Sequence, residues 1–207
     1  MARFVLVHGA WHGGWCFTDV VAELGRLGHT AEAPDLPCDD VAMTQLDYAG
    51  RLGDCRDAIV LGHSLGAQTI VHVEAARHVY LGGLLPVEHA SKHAFVETFG
   101  GFVRDESGRS YWPDAESAAR GMYPDCTREQ SDRAFAQLRP QARITLIAKP
   151  FAPGDVVIAT ARDAAIDFGW QVRTGNEHRL DVRTIDAGHS PFLTQPIELA
   201  HLLAELG

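Results

Sequence analysis

The sequence predicts an α/β fold: a doubly wound, mostly parallel six-stranded sheet with a small inserted cap. The first reason is that short apolar runs alternate with helical patterns along most of the chain. The second is that most of these runs are continuously apolar, as in parallel strands covered on both faces. The third is size, because 207 residues with 46% hydrophobic content suit one domain with a full core.

The predicted elements alternate in chain order, which is what indicates a doubly wound sheet. The strand candidates are residues 4–7, 30–33, 58–61, 79–84, 156–160 and 182–185. The helix candidates are residues 17–27, 65–77 and 196–206. The last of these opens on Pro196, and proline suits the first position of a helix.

The alternation breaks between residues 86 and 150, where we predict a cap inserted after the fourth strand. Residues 1–86 and 150–207 then form the core and residues 87–149 the cap, within a single structural domain. The cap has helical pieces near 115–121 and 128–138, and it concentrates the aromatic residues Phe95, Phe99, Phe102, Tyr111, Trp112 and Tyr123. A second small domain without a role in the site is the alternative. We prefer the cap because ligand sites favour loops and inserts beside strand ends.

Charge and composition exclude several classes of protein. The chain carries 18 Lys and Arg against 27 Asp and Glu, a net charge of −9, and has no basic tract that could follow phosphates, so we expect no nucleic-acid partner. No apolar run approaches the ~20 residues of a membrane helix, and no signal peptide is recognisable. We therefore expect a cytoplasmic protein without a membrane partner. Whether it is a monomer or a homodimer stays open. The four irregularly spaced cysteines indicate neither a zinc site nor a disulfide framework.

The strongest motif is Gly62-His63-Ser64-Leu65-Gly66, which matches G-x-S-x-G between a predicted strand and a predicted helix. This setting places a serine hydroxyl on a tight, strained turn, and the two glycines let strand and helix approach each other. The amides that open the helix point toward a developing oxyanion. We therefore predict that Ser64 is a nucleophile.

A serine hydroxyl needs a base within hydrogen-bond reach, and in this arrangement the acid and then the histidine follow the serine in the chain. Among 11 histidines, His189 fits best because it follows the last strand, at the same end of the sheet as Ser64. His178 precedes that strand, and His201 lies inside the final helix. The alternative for His189 is a loop residue that only caps the final helix.

The acid that orients the histidine is predicted to be Asp163, because it follows the fifth strand at its carboxyl end. Asp155 precedes that strand and lies at the wrong end. Asp167, four residues after Asp163, and Asp186, near the histidine in sequence, stay open as alternatives. Asp163 could also act only as a helix N-cap, a position that Asp favours.

The Gly-rich segment after the first strand is predicted to supply part of an oxyanion hole. In this topology the loops after strands one and three flank the point where ligands bind. We expect the Ala10 and Leu65 amides to form the hole, each donor being worth roughly 3 kcal/mol in the transition state. His8 and His12 have metal-like i, i+4 spacing but lie in a loop, so no metal is expected, and the absence of Lys excludes a P-loop.

Several segments together resemble the plant methylesterase and hydroxynitrile lyase group of α/β hydrolases, over nearly the whole chain. The matching segments are Val7-His8-Gly9-Ala10-Trp11-His12-Gly13-Gly14-Trp15, Ala33-Pro34-Asp35-Leu36, Gly62-His63-Ser64-Leu65-Gly66, Ala161-Arg162-Asp163 and Gly188-His189-Ser190-Pro191-Phe192-Leu193. The resemblance implies the α/β-hydrolase fold and esterase-like chemistry on small acyl substrates, without a cofactor.

Two departures within the resemblance argue against cyanohydrin cleavage. Lyase members have a threonine after the first histidine of the opening motif and a lysine after the catalytic histidine, where this chain has Gly9 and Ser190. The chain is also shorter than typical members between Asp35 and Ala58 and in the cap.

The sequence therefore predicts a serine hydrolase that cleaves a small carboxylic ester or similar acyl bond through an acyl-enzyme. Its substrate is expected to be a small molecule with an apolar acyl group. The residues predicted to line the pocket are Trp11, Trp15, Leu85, Phe99, Trp112 and Tyr123. Two alternatives stay open: a lyase or biosynthetic cyclase on the same scaffold, or a ligand receptor that retains the triad.

Overall fold

The computed structural model of the protein describes residues 1–207. Its strands, numbered in chain order, are β1 (Arg3–Val7), β2 (Thr30–Glu32), β3 (Cys55–His63), β4 (Ala75–Leu81), β5 (Val103–Arg104), β6 (Ser110–Tyr111), β7 (Val156–Thr160) and β8 (Asp181–Ile185). Its helices are α1 (Thr18–Arg26), α2 (Gln45–Gly50), α3 (Ala67–Ile70), α4 (Ala90–His93), α5 (Ala115–Met122), α6 (Arg128–Phe135), α7 (Phe168–Glu177), α8 (Pro191–Thr194) and α9 (Pro196–Ala204). Short 3₁₀ turns, Gly14–Phe17 and Ser64–Gly66, precede α1 and α3.

Six strands form one parallel sheet in the order β2-β1-β3-β4-β7-β8, and β5 and β6 form a separate antiparallel pair. The chain reaches one edge of the sheet through β2 and then winds toward the other edge from β3 to β8. The direction of winding therefore reverses between β1 and β3, and the loops after these two strands flank that point. The prediction of a doubly wound α/β sheet is confirmed.

Both faces of the sheet are covered, which explains why the strand sequences are apolar without alternation. In β1, Val5 and Val7 belong to the core on one face, whereas Phe4 and Leu6 belong to the core on the other. Helices α1 and α9 pack against each other on the face that contains Phe4. Burial on two faces fixes the register of the central strands and so holds the loops at their carboxyl ends.

The segment after the elbow departs from the prediction of one helix over residues 65–77. Helix α3 ends at Ile70, and the chain joins β4 already at Ala75, which pairs with Cys55 of β3. Residues such as Ala75 and Ala76 favour a helix when considered alone, but pairing with the buried β3 overrides that preference. Strand β4 also ends earlier than predicted, because Gly82 adopts a left-handed backbone with φ of 49°.

The chain between β4 and β7 contains α4, β5, β6, α5 and α6. Helix α5 is capped by Asp114, and α6 begins with a capping box between Thr127 and Gln130. The helices α5 and α6 pack with Trp112 against Trp11 in the loop after β1. The interpretation of residues 87–149 as a functional cap stays a prediction.

The four cysteines are all free thiols. None of the helices combines the length and the apolar character that a membrane crossing requires.

Candidate active site

The turn after β3 carries Ser64 in a strained backbone conformation. Its φ of 50° lies in the left-handed region, which non-glycine residues rarely adopt. The flanking glycines are required by close approach: a Cβ on Gly62 would lie 2.8 Å from Gly66 and Ala67, and one on Gly66 would lie 2.6 Å from the His8 carbonyl oxygen. The two glycines therefore let β3, the following helix and the loop after β1 meet around Ser64.

A buried carboxylate–imidazole pair lies at the carboxyl ends of the neighbouring strands. Asp163 Oδ2 is 2.9 Å from His189 Nδ1, and both side chains are almost fully buried. Asp163 Oδ2 also accepts a hydrogen bond from the Thr160 hydroxyl at 2.5 Å. Asp163 Oδ1 accepts the Ala165 and Ile166 backbone N–H groups at 2.8 and 2.9 Å. The carboxylate is therefore fully engaged and its orientation is fixed.

The environment of Asp163 keeps it ionised. Burial by itself would raise the pKa of this carboxyl, but the His189 ring, the Thr160 hydroxyl and the Ile166 N–H together hold its pKa below the ordinary value. An ionised Asp163 accepts the Nδ1–H of His189. In a neutral ring with this tautomer, the Nε2 atom on the opposite side is the hydrogen-bond acceptor.

The His189 loop is held against the elbow by His63, the residue before Ser64. His63 Nε2 donates to the His189 carbonyl oxygen at 2.8 Å, and the centroids of the two rings lie 4.7 Å apart. From the other side, Asp125 Oδ2 accepts the Gly188 N–H at 2.6 Å, with the carboxylate only 9% exposed. The loop is therefore fixed both by the elbow and by the segment between α5 and α6.

The other acids considered from sequence lie elsewhere. Asp167 caps α7 by accepting the Trp170 N–H at 2.6 Å. The Asp186 side chain is 80% exposed and pairs with Arg162 at 2.8 Å. Asp155 is buried before β7 and accepts the Tyr80 hydroxyl. None of these acids is hydrogen-bonded to His189.

The loop after β1 holds the peptide group between Gly9 and Ala10 in a fixed orientation. His8 accepts the Leu36 N–H at Nε2 (3.0 Å), so its Nδ1–H donates to the Gly9 carbonyl oxygen (2.9 Å). Because the carbonyl and N–H of one trans peptide point in opposite directions, this bond also sets the direction of the Ala10 N–H. The Ala10 N–H has no acceptor within the chain. It is therefore available as a hydrogen-bond donor.

His12 stabilises the same loop and connects it to α5. Its Nδ1 lies 2.8 Å from the Ala10 carbonyl oxygen, and its Nε2 lies 2.9 Å from the Tyr123 hydroxyl at the end of α5. Burial lowers the pKa of His8 to about 4 and that of His12 to about 3, and it also lowers the pKa of His63. These three buried histidines are therefore neutral near pH 7, and their ring nitrogens serve the loops around Ser64.

No group of three or more His, Cys, Asp or Glu side chains is placed to hold a metal ion. In particular, both nitrogens of His8 and both of His12 contact groups of the chain itself.

Ser64 opens onto a cavity of about 230 Å³. Its walls are mainly apolar and are formed by residues from the elbow, the loop after β1 and the segment between β4 and β7. The lining residues are Ala10, Trp11, Ser64, Leu65, Leu84, Phe95, Phe99, Phe102, Arg104, Ser110, Gln141, Ala142, Arg143, Ile144, Leu146 and Ala165. A larger open groove of about 700 Å³, which includes Trp170 and His178, contains none of the predicted site residues.

A comparison with family models decides the classification. The model described as "Alpha/beta hydrolase family" matches residues 4–202. The chain belongs to this family.

Individual relatives support a closer resemblance. Methylesterase 7 of Arabidopsis thaliana is 24% identical, over 99% of this chain and 95% of its own length. The "Carbendazim hydrolyzing esterase" of Nocardioides sp. (strain SG-4G) is 37% identical, but over only 43% of this chain and 44% of its own length. The crystal structure of the methylesterase MES16 from Arabidopsis matches with a TM-score of 0.80 at 20% identity, covering 99% and 98% of the two chains. The resemblance to the plant methylesterase group is confirmed.

Two of the six side chains predicted to line the pocket of this α/β hydrolase, Trp11 and Phe99, do line the cavity at Ser64. The other four do not. Leu85 is fully buried in the core, and Trp112 packs behind Trp11 with ring centroids 5.3 Å apart. Tyr123 is turned toward His12, and Trp15 packs on the cluster around α1 and α9. Aromatic content alone could not distinguish these cases, because each ring can equally fill a core.

Several residues that line the cavity of the hydrolase were not among the predicted pocket residues. Phe95 and Phe102 belong to the predicted aromatic segment, but nothing local distinguishes them from Trp112. The stretch from Ala142 to Leu146 alternates apolar and polar residues, as a half-buried strand does, but it forms no strand beyond the bridge between Ser110 and Gln141. Its apolar residues Ala142, Ile144 and Leu146 line the cavity. Arg104 and Arg143 also line the cavity, and no sequence motif marks them.

Proposed function

We propose that the protein is a serine-dependent carboxylic ester hydrolase that acts on a small ester through an acyl-enzyme intermediate. The observation that carries the proposal is the 2.9 Å contact between Asp163 Oδ2 and His189 Nδ1. The loop that contains His189 is hydrogen-bonded to His63, the residue before Ser64. Relatives that carry "methylesterase" in their names favour an ester with a small alcohol.

In the first half-reaction, Ser64 Oγ attacks the acyl carbon while His189 Nε2 takes the hydroxyl proton. Asp163 accepts the Nδ1–H throughout and stabilises the imidazolium that forms. The carbonyl oxygen becomes an oxyanion, for which the Ala10 and Leu65 N–H groups are the proposed donors. When the intermediate collapses, His189 gives its proton to the leaving alkoxide, and the acyl group stays on Ser64.

The second half-reaction repeats these roles with water. His189 Nε2 removes a proton from a water molecule, and the hydroxide attacks the acyl carbon. The proton then returns to Ser64 Oγ as the carboxylic acid departs. No cofactor is needed for either half.

The cavity supports a small substrate. Its volume of about 230 Å³ lies below the range of roughly 300–1,000 Å³ that is usual for sites binding drug-sized ligands. Phe95, Phe99 and Phe102 contribute one aromatic wall, and these residues lie in the segment that we propose to be a cap. The apolar wall suits a short hydrocarbon or aromatic acyl group.

The test is covalent labelling followed by substitution. A fluorophosphonate should attach to Ser64, as located by mass spectrometry of the digested protein, and labelling should abolish turnover of short methyl and p-nitrophenyl esters. Ser64→Ala should lower kcat ~10⁴-fold or more without loss of folding, because it removes the nucleophile. Turnover within about tenfold of wild type in that variant would overturn the proposal. Labelling of Ser64 without ester turnover would instead favour a lyase, a cyclase or a receptor.

A further inference from the structure

The cavity at Ser64 is apolar except at one side, where two arginines, Arg104 and Arg143, are its only charged lining residues. No Asp or Glu lines it. The chain as a whole carries a net charge of −9, so the charge on this side of the cavity has the opposite sign to the net charge of the protein. A local cation at a site of an acidic protein bears directly on which substrates approach it.

Neither arginine is neutralised by a carboxylate of the chain. Arg109, in the same hairpin, pairs with Asp105 at 2.8 Å, whereas Arg104 and Arg143 have no carboxylate within 4.0 Å. Arg104 uses one N–H for the Gly108 carbonyl oxygen at 2.9 Å, and the remaining N–H groups of its guanidinium stay available. The two side chains therefore retain both charge and donors for a ligand.

Backbone pairing connects the segments that contain the two arginines. Arg104 of β5 pairs with Ser110 of β6, and Ser110 forms a bridge with Gln141, close in sequence to Arg143. Ser110 and Gln141 are buried and are bonded to each other through their backbones at 2.8 and 2.9 Å. Arg104 therefore lies on the β5–β6 hairpin, and Arg143 follows the bridge that joins the next segment to this hairpin.

From this arrangement we infer that the ester bound at Ser64 carries a carboxylate at the end remote from the scissile bond, which Arg143 and Arg104 recognise. The inference rests on the proposed esterase function and adds the substrate class to it. Guanidinium groups bind carboxylates with paired N–H···O bonds, and an apolar cavity between serine and arginines accommodates the connecting hydrocarbon. The two arginines are therefore assigned as specificity-determining residues.

The test compares esters of equal size that differ only in charge. Monomethyl glutarate and methyl 5-oxohexanoate place a carboxylate or a methyl ketone at the end of the acyl group. The acetate esters of 4-hydroxybutanoate and of 5-hydroxypentan-2-one place the same groups on the alcohol side. Hydrolysis of all four is followed by proton release, and the readout is the ratio of kcat/KM for the charged and the neutral member of each pair.

Wild type should favour the charged member of at least one pair. Arg143→Gln and Arg104→Gln should each lower that ratio about threefold, and the double variant about tenfold, because both side chains are exposed and their attraction is partly screened. Arg179→Gln is the matched control. Arg179 is also exposed and has no carboxylate partner, but it precedes β8 and so lies at the end of the sheet opposite Ser64. The kcat/KM ratio of the Arg179→Gln variant should therefore equal that of wild type.

A ratio that stays unchanged in the double variant would overturn the inference, as would a wild-type preference for the neutral member of both pairs. The proposed function fails differently: no ester is hydrolysed, or hydrolysis persists in Ser64→Ala. A decrease of the wild-type preference as NaCl rises from about 20 to about 300 mM would support charge recognition, because salt screens exposed pairs. Thermal unfolding of each variant checks that it is folded.

Discussion

Replacing Asp163 by asparagine tests the proposed acid with almost no change in shape. Oδ1 of Asp163 accepts two backbone N–H groups, from Ala165 and Ile166, so this position must remain an oxygen in the variant. The amide nitrogen must then occupy the position of Oδ2, which faces His189 Nδ1 at 2.9 Å. A donor at that place obliges Nδ1 to accept, so the His189 proton moves to Nε2.

The energy that favours the unproductive His189 tautomer can be estimated from the alternative orientation of the asparagine amide. Turning the amide over would direct its NH₂ group at two buried N–H donors and leave both unsatisfied, at roughly 1–3 kcal/mol each. At least about 2 kcal/mol then opposes the productive tautomer, which is a factor of roughly 30 in population. The loss of the negative charge that stabilises the imidazolium is added to this, so kcat should fall ~10³–10⁴-fold at neutral pH.

The assay is steady-state hydrolysis of a methyl ester by Asp163→Asn, beside Asp186→Asn as the control. Asp186 lies near His189 in sequence, but its side chain is 80% exposed and pairs with Arg162, so its variant should lose about tenfold or less. Nitrogen-15 NMR of the His189 ring should report protonated Nδ1 in wild type and protonated Nε2 in Asp163→Asn. Equal losses in the two variants, or an unchanged tautomer, would refute the reasoning.

Three further outcomes are expected. The free energy of unfolding in urea should fall by roughly 3 kcal/mol from about pH 6.5 to about pH 5.5, because His8, His12 and His63 bind protons in this range only in the unfolded chain. The stability that these neutral histidines contribute is present above the ordinary histidine pKa and is lost as the pH falls toward their lowered pKa values. A change below 1 kcal/mol would contradict this assignment. Asp125→Ala should lower kcat about tenfold or more, with a smaller effect on KM, because it removes the acceptor of the Gly188 N–H in the His189 loop. An unchanged kcat would show that the His189 loop does not need this hydrogen bond. Gly66→Ala should destabilise by about 1–3 kcal/mol in thermal unfolding, because its Cβ would lie 2.6 Å from the His8 oxygen, whereas Gly50→Ala has open space and should not.

Much of the fold could be predicted from sequence because strand burial and turn chemistry are local signals. A run such as residues 58–61 is apolar on both faces only if both faces are covered, and the glycines beside Ser64 are required by contacts within that same turn. Asp163 could be proposed because the carboxyl ends of parallel strands meet at one edge. Helix 65–77 failed because pairing of Ala75 with Cys55 is a distant contact.

The pocket could not be predicted for a related reason. Whether Trp11, Trp15 or Trp112 faces the cavity depends on how the segment between β4 and β7 packs on the loop after β1. That packing joins residues far apart in the chain, such as Trp11 and Ser110, which are 99 positions apart; Trp11 Nε1 donates to the Ser110 carbonyl oxygen at 3.1 Å. Single-sequence patterns report periodicity over one helix or strand and contain no information on such contacts.

The choice of base among the histidines around Ser64 illustrates what the structure adds. His8 and His12 each have one ring nitrogen donating and the other accepting within the chain. His63 donates from Nε2 to the His189 carbonyl oxygen, and its Nδ1 is buried beside Gly9. Only His189 combines an Nδ1 fixed by an ionised carboxylate with an Nε2 that has no partner within the chain. His8, His12 and His63 therefore stabilise the loops, and His189 is the residue that we propose to move the proton.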